Sequence, residues 1–391
     1  MTHDNDVPAF ATALIVGGGI GGLATAVTLR RTGVSVVLVE RASEFGEVGA
    51  GLQLGPNATR LLFEWGLESA IRDVAVFPEN LIAKDALTDE ELTRIPLGDE
   101  FVQRYGAPYC VIHRTDLHSI LLAEARRLNV ELHTDTEIVE VDSESGSARA
   151  RDGHTFVADV VIGADGLRSE LRDRLVADEP INSGYVAYRG TIASSEVEEI
   201  SNDVVVWMGP EGHLVQYPLR RGELLNNVLV FRSDGFARGE SDYGGADELD
   251  ARFGDCHPTV RRALDFVGKQ RRWPLYDRLP TAEWSSGRLL LMGDAAHPML
   301  QYLAQGCCQA LEDADALGRL ARTAPATEIG EAFTSERASR TAEVQTTARA
   351  FGELCHRTGA AARARNEMLR GRALDDFRHI DWLYAAIPAH I

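Results

Sequence analysis

The chain has 391 residues, 45% of them hydrophobic and 25% charged, which is ample apolar material for a packed core in two or three structural units. A formal net charge of -19, with Lys and Arg gathered only in short helical pairs, argues against a nucleic-acid partner. Five cysteines, Cys110, Cys256, Cys307, Cys308 and Cys355, form an odd set without CxxC spacing, which argues against a disulfide framework and a zinc site; reduced thiols, no metal and a cytoplasmic location are expected. The first ten residues, MTHDNDVPAF, are polar and acidic, and no apolar run reaches bilayer length, so neither a signal peptide nor an integral membrane segment is expected.

Thr12 to Val16 reads as a short buried strand that runs into GGGIGG, and Leu23, Ala26, Val27 and Arg30 continue at helical spacing to Gly33. Val34 to Val39 is a second buried strand, ending at Glu40, eighteen positions after Gly22. This is a βαβ dinucleotide fingerprint. Gly17 makes the tight turn, Gly19 lets the backbone approach a pyrophosphate, Gly22 lets the helix pack on the sheet, and Glu40 reaches the ribose hydroxyls. Gly46 to Gly66 is a glycine-rich loop giving way at Pro56 and Asn57 to an amphipathic helix; it is either a second approach to the cofactor or a plain turn of the chain.

Residues 73–108 read as hairpin strands at the edge of a substrate region. The stretch HRTDLHSILLAEARRLN predicts a helix with Thr115 as N-cap, Asp116 in its first turn and Arg114 just ahead, a position that by itself suits a solvated charge as well as a ligand contact. Strands are predicted at Val130 to His133, Ile138 to Val141 and Ala148 to Arg151, then, after a turn at Asp152 and Gly153, at Val157 to Ile162. That last strand enters GADGLRSELR, whose Asp165, Arg168, Ser169 and Arg172 suit a polar site at the carboxyl edge of a sheet.

From Tyr185 to Trp273 the βα alternation stops and strands rich in Val, Tyr and Trp take over, at Val204 to Met208, His213 to Leu219 and Leu224 to Phe231. Alternation puts His213 and Tyr217 on one strand face, where they either bind a polar aromatic ligand or sit in the core satisfied by neighbours. Leu289 to Met292 returns to the α/β pattern and leads into GDAAHPMLQYLAQG, in which Pro298 and Gly306 keep the loop irregular. A helix through Leu311, Ala314, Leu317 and Leu320 follows, and it aims unpaired N–H groups and a positive dipole end at whatever lies before it. Residues from about Arg337 read as helices, ending in the apolar Trp382, Leu383 and Tyr384. The expected fold is α/β: a discontinuous Rossmann-like cofactor domain, residues 1–180 with 276–335, an inserted sheet-rich substrate domain, 181–275, and a helical C-terminal region, 336–391. Part of 73–108 belongs to the substrate region.

Taken together, GGGIGG with Glu40, DVVIGADGLRSELR from Asp159 to Arg172, and GDAAHP from Gly293 resemble the motifs of the single-component FAD-dependent aromatic hydroxylases over nearly the full length. Within that family ERASEFGEVGAGLQLGPNA, SGYVAYRGT, HLVQYPLR, HPMLQYLAQG and DWLY look like segments of 3-hydroxybenzoate 6-hydroxylases, which make gentisate. The resemblance implies FAD held by Gly17, Gly19, Gly22, Glu40, Arg41, Arg114, Asp165, Asp294 and Gly306, with the Pro298 carbonyl near the flavin. It implies His213 as the base for the substrate phenol, Gln301 orienting the hydroxyl and Tyr217 holding the carboxylate or the ring. His297, in the same loop, is read as structural. The implied reaction consumes NADH and O2 and hydroxylates a small aromatic acid para to its hydroxyl. A single nucleotide fingerprint agrees with transient docking of the nicotinamide nucleotide. Salicylate 1-hydroxylases share the three cofactor motifs, and a flavin redox carrier would share them too, so the pocket residues decide. The helical tail could bury an apolar face in a homodimer.

Overall fold

A computed structural model describes residues 8–46, 49, 51–198 and 200–385. Most of the polar N-terminal stretch, part of the glycine-rich segment after Gly46 and the last six residues of the tail lie outside the described residues.

Ala13, Leu14 and Ile15 are at most 1% exposed, so the strand Thr12–Val16 is covered on both faces, as a central parallel strand must be. It pairs in parallel with Ser35–Val39 on one side and Val160–Gly163 on the other. The sheet extends in parallel to Glu131–His133 and Leu289–Leu291, and a short antiparallel strand, Ser285–Ser286, closes the far edge. The fingerprint, the Asp165 loop and the loop from Gly293 all leave the carboxyl ends of neighbouring strands, the edge at which α/β sheets bind ligands. The helices Ile20–Arg31 and Gly306–Leu320 pack so closely that a Cβ on Gly318 would lie 2.9 Å from Thr28 Cβ, and Thr28 Oγ1 donates to Ala314 O at 2.7 Å. Nearer their N-termini the same two helices meet at Gly21, where a Cβ would lie 3.4 Å from Ala310 Cβ.

The second sheet has seven strands in the order Trp273–Asp277, Ile181–Ala193, Leu224–Arg232, Gly212–Leu219, Val204–Gly209, Asn80–Asp85 and Glu91–Pro96. The last two form the expected hairpin, which joins the sheet through a parallel pairing with Val204–Gly209. One face packs Tyr188, Trp207, Leu214, Leu229 and Phe231 against Phe253 and Val260 of the outer helices. The opposite face, carrying His213, Val215 and Tyr217, turns toward the first sheet. The fold is thus the α/β arrangement with an inserted sheet that the sequence implies.

Four local expectations change. Val157 to Ile162 is two strands, Thr155–Val157 and Val160–Gly163, in different sheets, because the Asp159 carboxylate between them accepts from the backbone N–H groups of Ala11 and Thr12 and turns the chain. The helix after His113 begins at Arg114, not beyond Thr115: its N-cap is His113, whose Nδ1 accepts from Thr115 N at 3.3 Å. The C-terminal helices start with Ile329–Cys355, so no break falls at 335/336. Arg172 is fully buried within the fold, paired with Asp178 and donating to the carbonyls of Ala295 and Ala296, and does not line the ligand edge.

The long helix Ile329–Cys355 is fastened to Gly306–Leu320 by Arg337, which is buried and donates to Asp313 at 2.7 Å and Glu312 at 2.6 Å, with Arg340 donating to both Glu312 oxygens at 2.9 Å. The guanidinium charges, joined by His297 at Asp313, outweigh the cost of burial and hold both carboxyls down to about 2. A folded pKa below the unfolded value of ~4 contributes stability above that value and loses it as pH falls toward the folded one. Replacing Arg337 by Met leaves buried carboxylates without their partner. It is expected to cost about 3–5 kcal/mol in urea unfolding and to move acid unfolding to higher pH; an unchanged midpoint would contradict the assignment.

Candidate active site

Between the two sheets lies a cavity of about 1110 Å³. Its first half is a cradle of backbone. Gly17 has φ +115°, and a Cβ there would stand 2.4 Å from Ala164 O, so only glycine fits the turn. At Gly22 a Cβ would stand 2.0 Å from Gly17 O. Gly19 caps Ile20–Arg31 without a side-chain bond, and Gly306–Leu320 also starts without one, so two helices present open N–H groups to one cavity. That suits a cofactor carrying a pyrophosphate.

Polar groups surround this cradle. Glu40 accepts from Gly18 N at 2.8 Å and Ala42 N at 2.9 Å, which fixes its carboxylate at the strand end, and Arg41 is exposed beside it on the cavity wall. Arg114, the first residue of its helix, packs its side chain on Gly49. Asp165 accepts from Glu170 N at 3.1 Å through Oδ2, whereas its buried Oδ1 has no hydrogen-bond partner among the described residues. Burial pushes its pKa above the ordinary carboxylate value. An orphaned acceptor beside an open helix end fits a ligand with donor groups. Asp294 is exposed to the cavity, with Oδ1 3.8 Å from the Cβ position of Gly306. Pro298 is half-buried, and its carbonyl accepts from Gln345 Nε2 at 3.0 Å. His297, 1% exposed, bonds Asp313 Oδ2 at 2.6 Å, a structural contact as expected.

The second half of the cavity belongs to the strand Gly212–Leu219. His213 and Tyr217 both line it and both are buried, at 4% and 3% exposure. Nδ1 of His213 lies 2.8 Å from Nε2 of His356, which leaves Nε2 of His213 for a ligand. Desolvation lowers His213 to about 4, so the ring is neutral at pH 7. Burial raises the Tyr217 phenol well above its ordinary range, keeping it a proton donor. Its ring occupies the space a Cβ on Gly51 would need, 2.4 Å away, and thereby pins the strand Gly51–Leu54 against the pocket. Gln301 enters from the loop after Pro298, and its Oε1 accepts from Arg189 Nη2. His213, Tyr217 and Gln301 thus line the same cavity as the glycine cradle.

Sequence reasoning passed over Arg189, Tyr302 and His356. Arg189 lies on the cavity-facing side of the strand Ile181–Ala193, its buried Nε without a hydrogen-bond partner among the described residues, and its guanidinium lies 5.8 Å from the Trp273 ring centre. A lone Arg on the inner face of an apolar strand was the available signal. The Tyr302 hydroxyl is likewise buried without a hydrogen-bond partner among the described residues. Nothing in the pattern after Leu354 pointed to His356.

Residues 11–348 match the FAD binding domain family. The chain is 40% identical to a 3-hydroxybenzoate 6-hydroxylase of Klebsiella oxytoca, across 95% of this chain and 96% of the relative. It belongs to the FAD-dependent aromatic hydroxylases. A 3-hydroxybenzoate 6-hydroxylase of Polaromonas naphthalenivorans (strain CJ2) is 38% identical to this flavoprotein monooxygenase over 97% of each chain, and a 3-amino-4-hydroxybenzoate 2-monooxygenase of Streptomyces cremeus is 38% identical over 95% and 94%. A salicylate hydroxylase solved as a substrate complex superposes with a TM-score of 0.79 at 25% identity, covering 96% of this chain and 95% of that one. Klebsiella pneumoniae HpxO complexed with FAD and uric acid shares the fold, with a TM-score of 0.82 at 22% identity and 93% of each chain covered. FAD is therefore the group for which the cradle is built. No helix among the described residues is long and apolar enough to cross a membrane.

Replacing Asp294 by Ala is expected to lower the flavin-to-protein absorbance ratio of the purified hydroxylase at least severalfold, with the circular dichroism unchanged. Full flavin retention would remove Asp294 from the cofactor site.

Proposed function

We propose that this hydroxylase converts 3-hydroxybenzoate to gentisate with NADH and O2, placing the new hydroxyl para to the existing one. The observation that carries this reading is the buried trio His213, Gln301 and Tyr217 in one cavity with the FAD cradle, in a chain 37–40% identical to proteins named 3-hydroxybenzoate 6-hydroxylase.

Bound FAD supplies the reduction by NADH and the activation of O2. The protein must hold the ring, exclude water and manage one proton. His213 takes the phenolic proton at Nε2, which makes the ring more electron-rich at the para carbon; a positioned base is typically worth ~100- to 10,000-fold. Gln301 is oriented by Arg189: with Oε1 engaged by the guanidinium, its amide nitrogen is the end left to donate to the developing phenolate. The Arg189 charge favours that phenolate as well. Tyr217, kept protonated by burial, donates to the substrate carboxylate. Asp294, Asp165, Arg114, Glu40 and Arg41 hold the cofactor, and a homodimer through the C-terminal helices completes the reading.

Purified holoenzyme is expected to reduce its flavin faster with NADH when 3-hydroxybenzoate is present, and to yield gentisate by chromatography. Catechol and carbon dioxide from salicylate would replace this substrate by the salicylate reading. Hydrogen peroxide alone with every phenolic acid would contradict hydroxylation altogether. His213→Ala is expected to keep FAD, to slow gentisate formation by roughly 100-fold or more and to divert NADH to peroxide; coupled turnover at the wild-type rate would exclude His213 as the base.

A further inference from the structure

His213 is not held by its strand alone. Its imidazole meets that of His356 end to end and nearly coplanar, with ring centres 5.0 Å apart and planes 24° from parallel, and the Tyr185 ring stacks on that of His356 at 4.4 Å. Tyr302, from the Gln301 turn, meets His356 nearly edge-on at 5.4 Å, and its ring lies where a Cβ on Gly352 would stand, 2.4 Å away. The backbone of His356 is fastened too: Glu211 N donates to its carbonyl at 3.1 Å, and Arg365 Nη1 donates to Cys355 O at 2.7 Å. Nδ1 of His356 has no hydrogen-bond partner among the described residues, so the 2.8 Å contact with His213 is the one hydrogen bond its side chain makes there.

We propose that His356 is a positioning residue for this reaction, accepting at Nε2 a hydrogen bond from His213 Nδ1–H and so fixing the neutral tautomer in which His213 Nε2 carries the lone pair offered to the substrate. Two adjacent neutral imidazoles cannot both present lone pairs at 2.8 Å, so one ring must donate, and its choice decides what the other nitrogen of His213 can do. If His213 donates, Nε2 is a base. If His356 donates, Nε2 carries the proton and cannot accept another. Burial lowers both rings, His356 further because His213 and Arg365 lie beside it, so near pH 7 both are neutral and each carries one proton. The inference rests on the reading of His213 as the base.

The test uses holoenzyme labelled with 15N at histidine, His213 being assigned by its loss in His213→Gln. Near pH 7 the wild type is expected to show His213 protonated at Nδ1 and bare at Nε2. His356→Phe is expected to retain FAD, lose that tautomer preference and make gentisate roughly 10- to 100-fold more slowly, with kcat falling more than KM rises. His356→Gln, whose amide oxygen accepts the same hydrogen bond, is expected to restore both the tautomer and most of the rate; it also serves if the Phe variant fails to fold. A wild-type His213 protonated at Nε2, or a His356→Phe enzyme with wild-type tautomer and kcat, would overturn the proposal. The tautomer is read without substrate, so a failure of the gentisate assignment, seen as wild-type enzyme making none, is distinguishable from a failure of this one.

Discussion

One buried carboxylate holds the loop on which both halves of the site depend. Asp313 is fully buried and accepts from Gly293 N at 2.9 Å, His297 Nε2 at 2.6 Å and Arg337 Nε at 2.7 Å. A charge so placed is tolerable only when its lone pairs are met, so these three donors must converge on it. They come from the end of a strand, the loop itself and a helix more than twenty residues later in the chain. Arg172 grips the Ala295 and Ala296 carbonyls from the opposite side, and Gln345 takes that of Pro298. The loop therefore has little freedom between Asp294 and Gln301, which both line the cavity.

Dryness governs the rest of the chemistry. The same loss of water that lowers His213 and raises Tyr217 strengthens the contact between Arg189 and Gln301. A histidine pushed to about 4 is by itself a weak base. It gains strength when an anionic ligand arrives beside it, because a nearby negative charge favours the imidazolium. In the proposed reaction, proton removal is thereby coupled to occupation of the site by an acid carrying a phenol.

The cofactor half was legible in the sequence because it is written in backbone collisions. Gly17 and Gly22 must be glycine wherever that turn meets that helix, and Glu40 must end the second strand, so spacing alone carries the geometry. Strand alternation likewise put His213 and Tyr217 on one face. Contacts that arise only when distant segments pack could not be read. Arg189 meets Gln301 across 112 positions and His213 meets His356 across 143, and no local pattern encodes either. The Pro298 carbonyl and the Arg172 guanidinium have partners within the fold, Gln345 for the first and Asp178 with the Ala295 and Ala296 carbonyls for the second, and their nearness to a ligand loop did not reveal these. At Asp159 a side chain capping Ala11 and Thr12 divided what alternation read as one strand.

The central claim is that a phenol is held between His213 and Gln301 while Tyr217 takes the carboxylate. A crystal structure of the FAD holoenzyme with 3-hydroxybenzoate measures this directly. The account predicts the substrate hydroxyl within hydrogen-bond distance of His213 Nε2 and the Gln301 side-chain amide, with the carboxylate at the Tyr217 hydroxyl. A substrate bound in the reverse sense, with its carboxylate against His213, would contradict it.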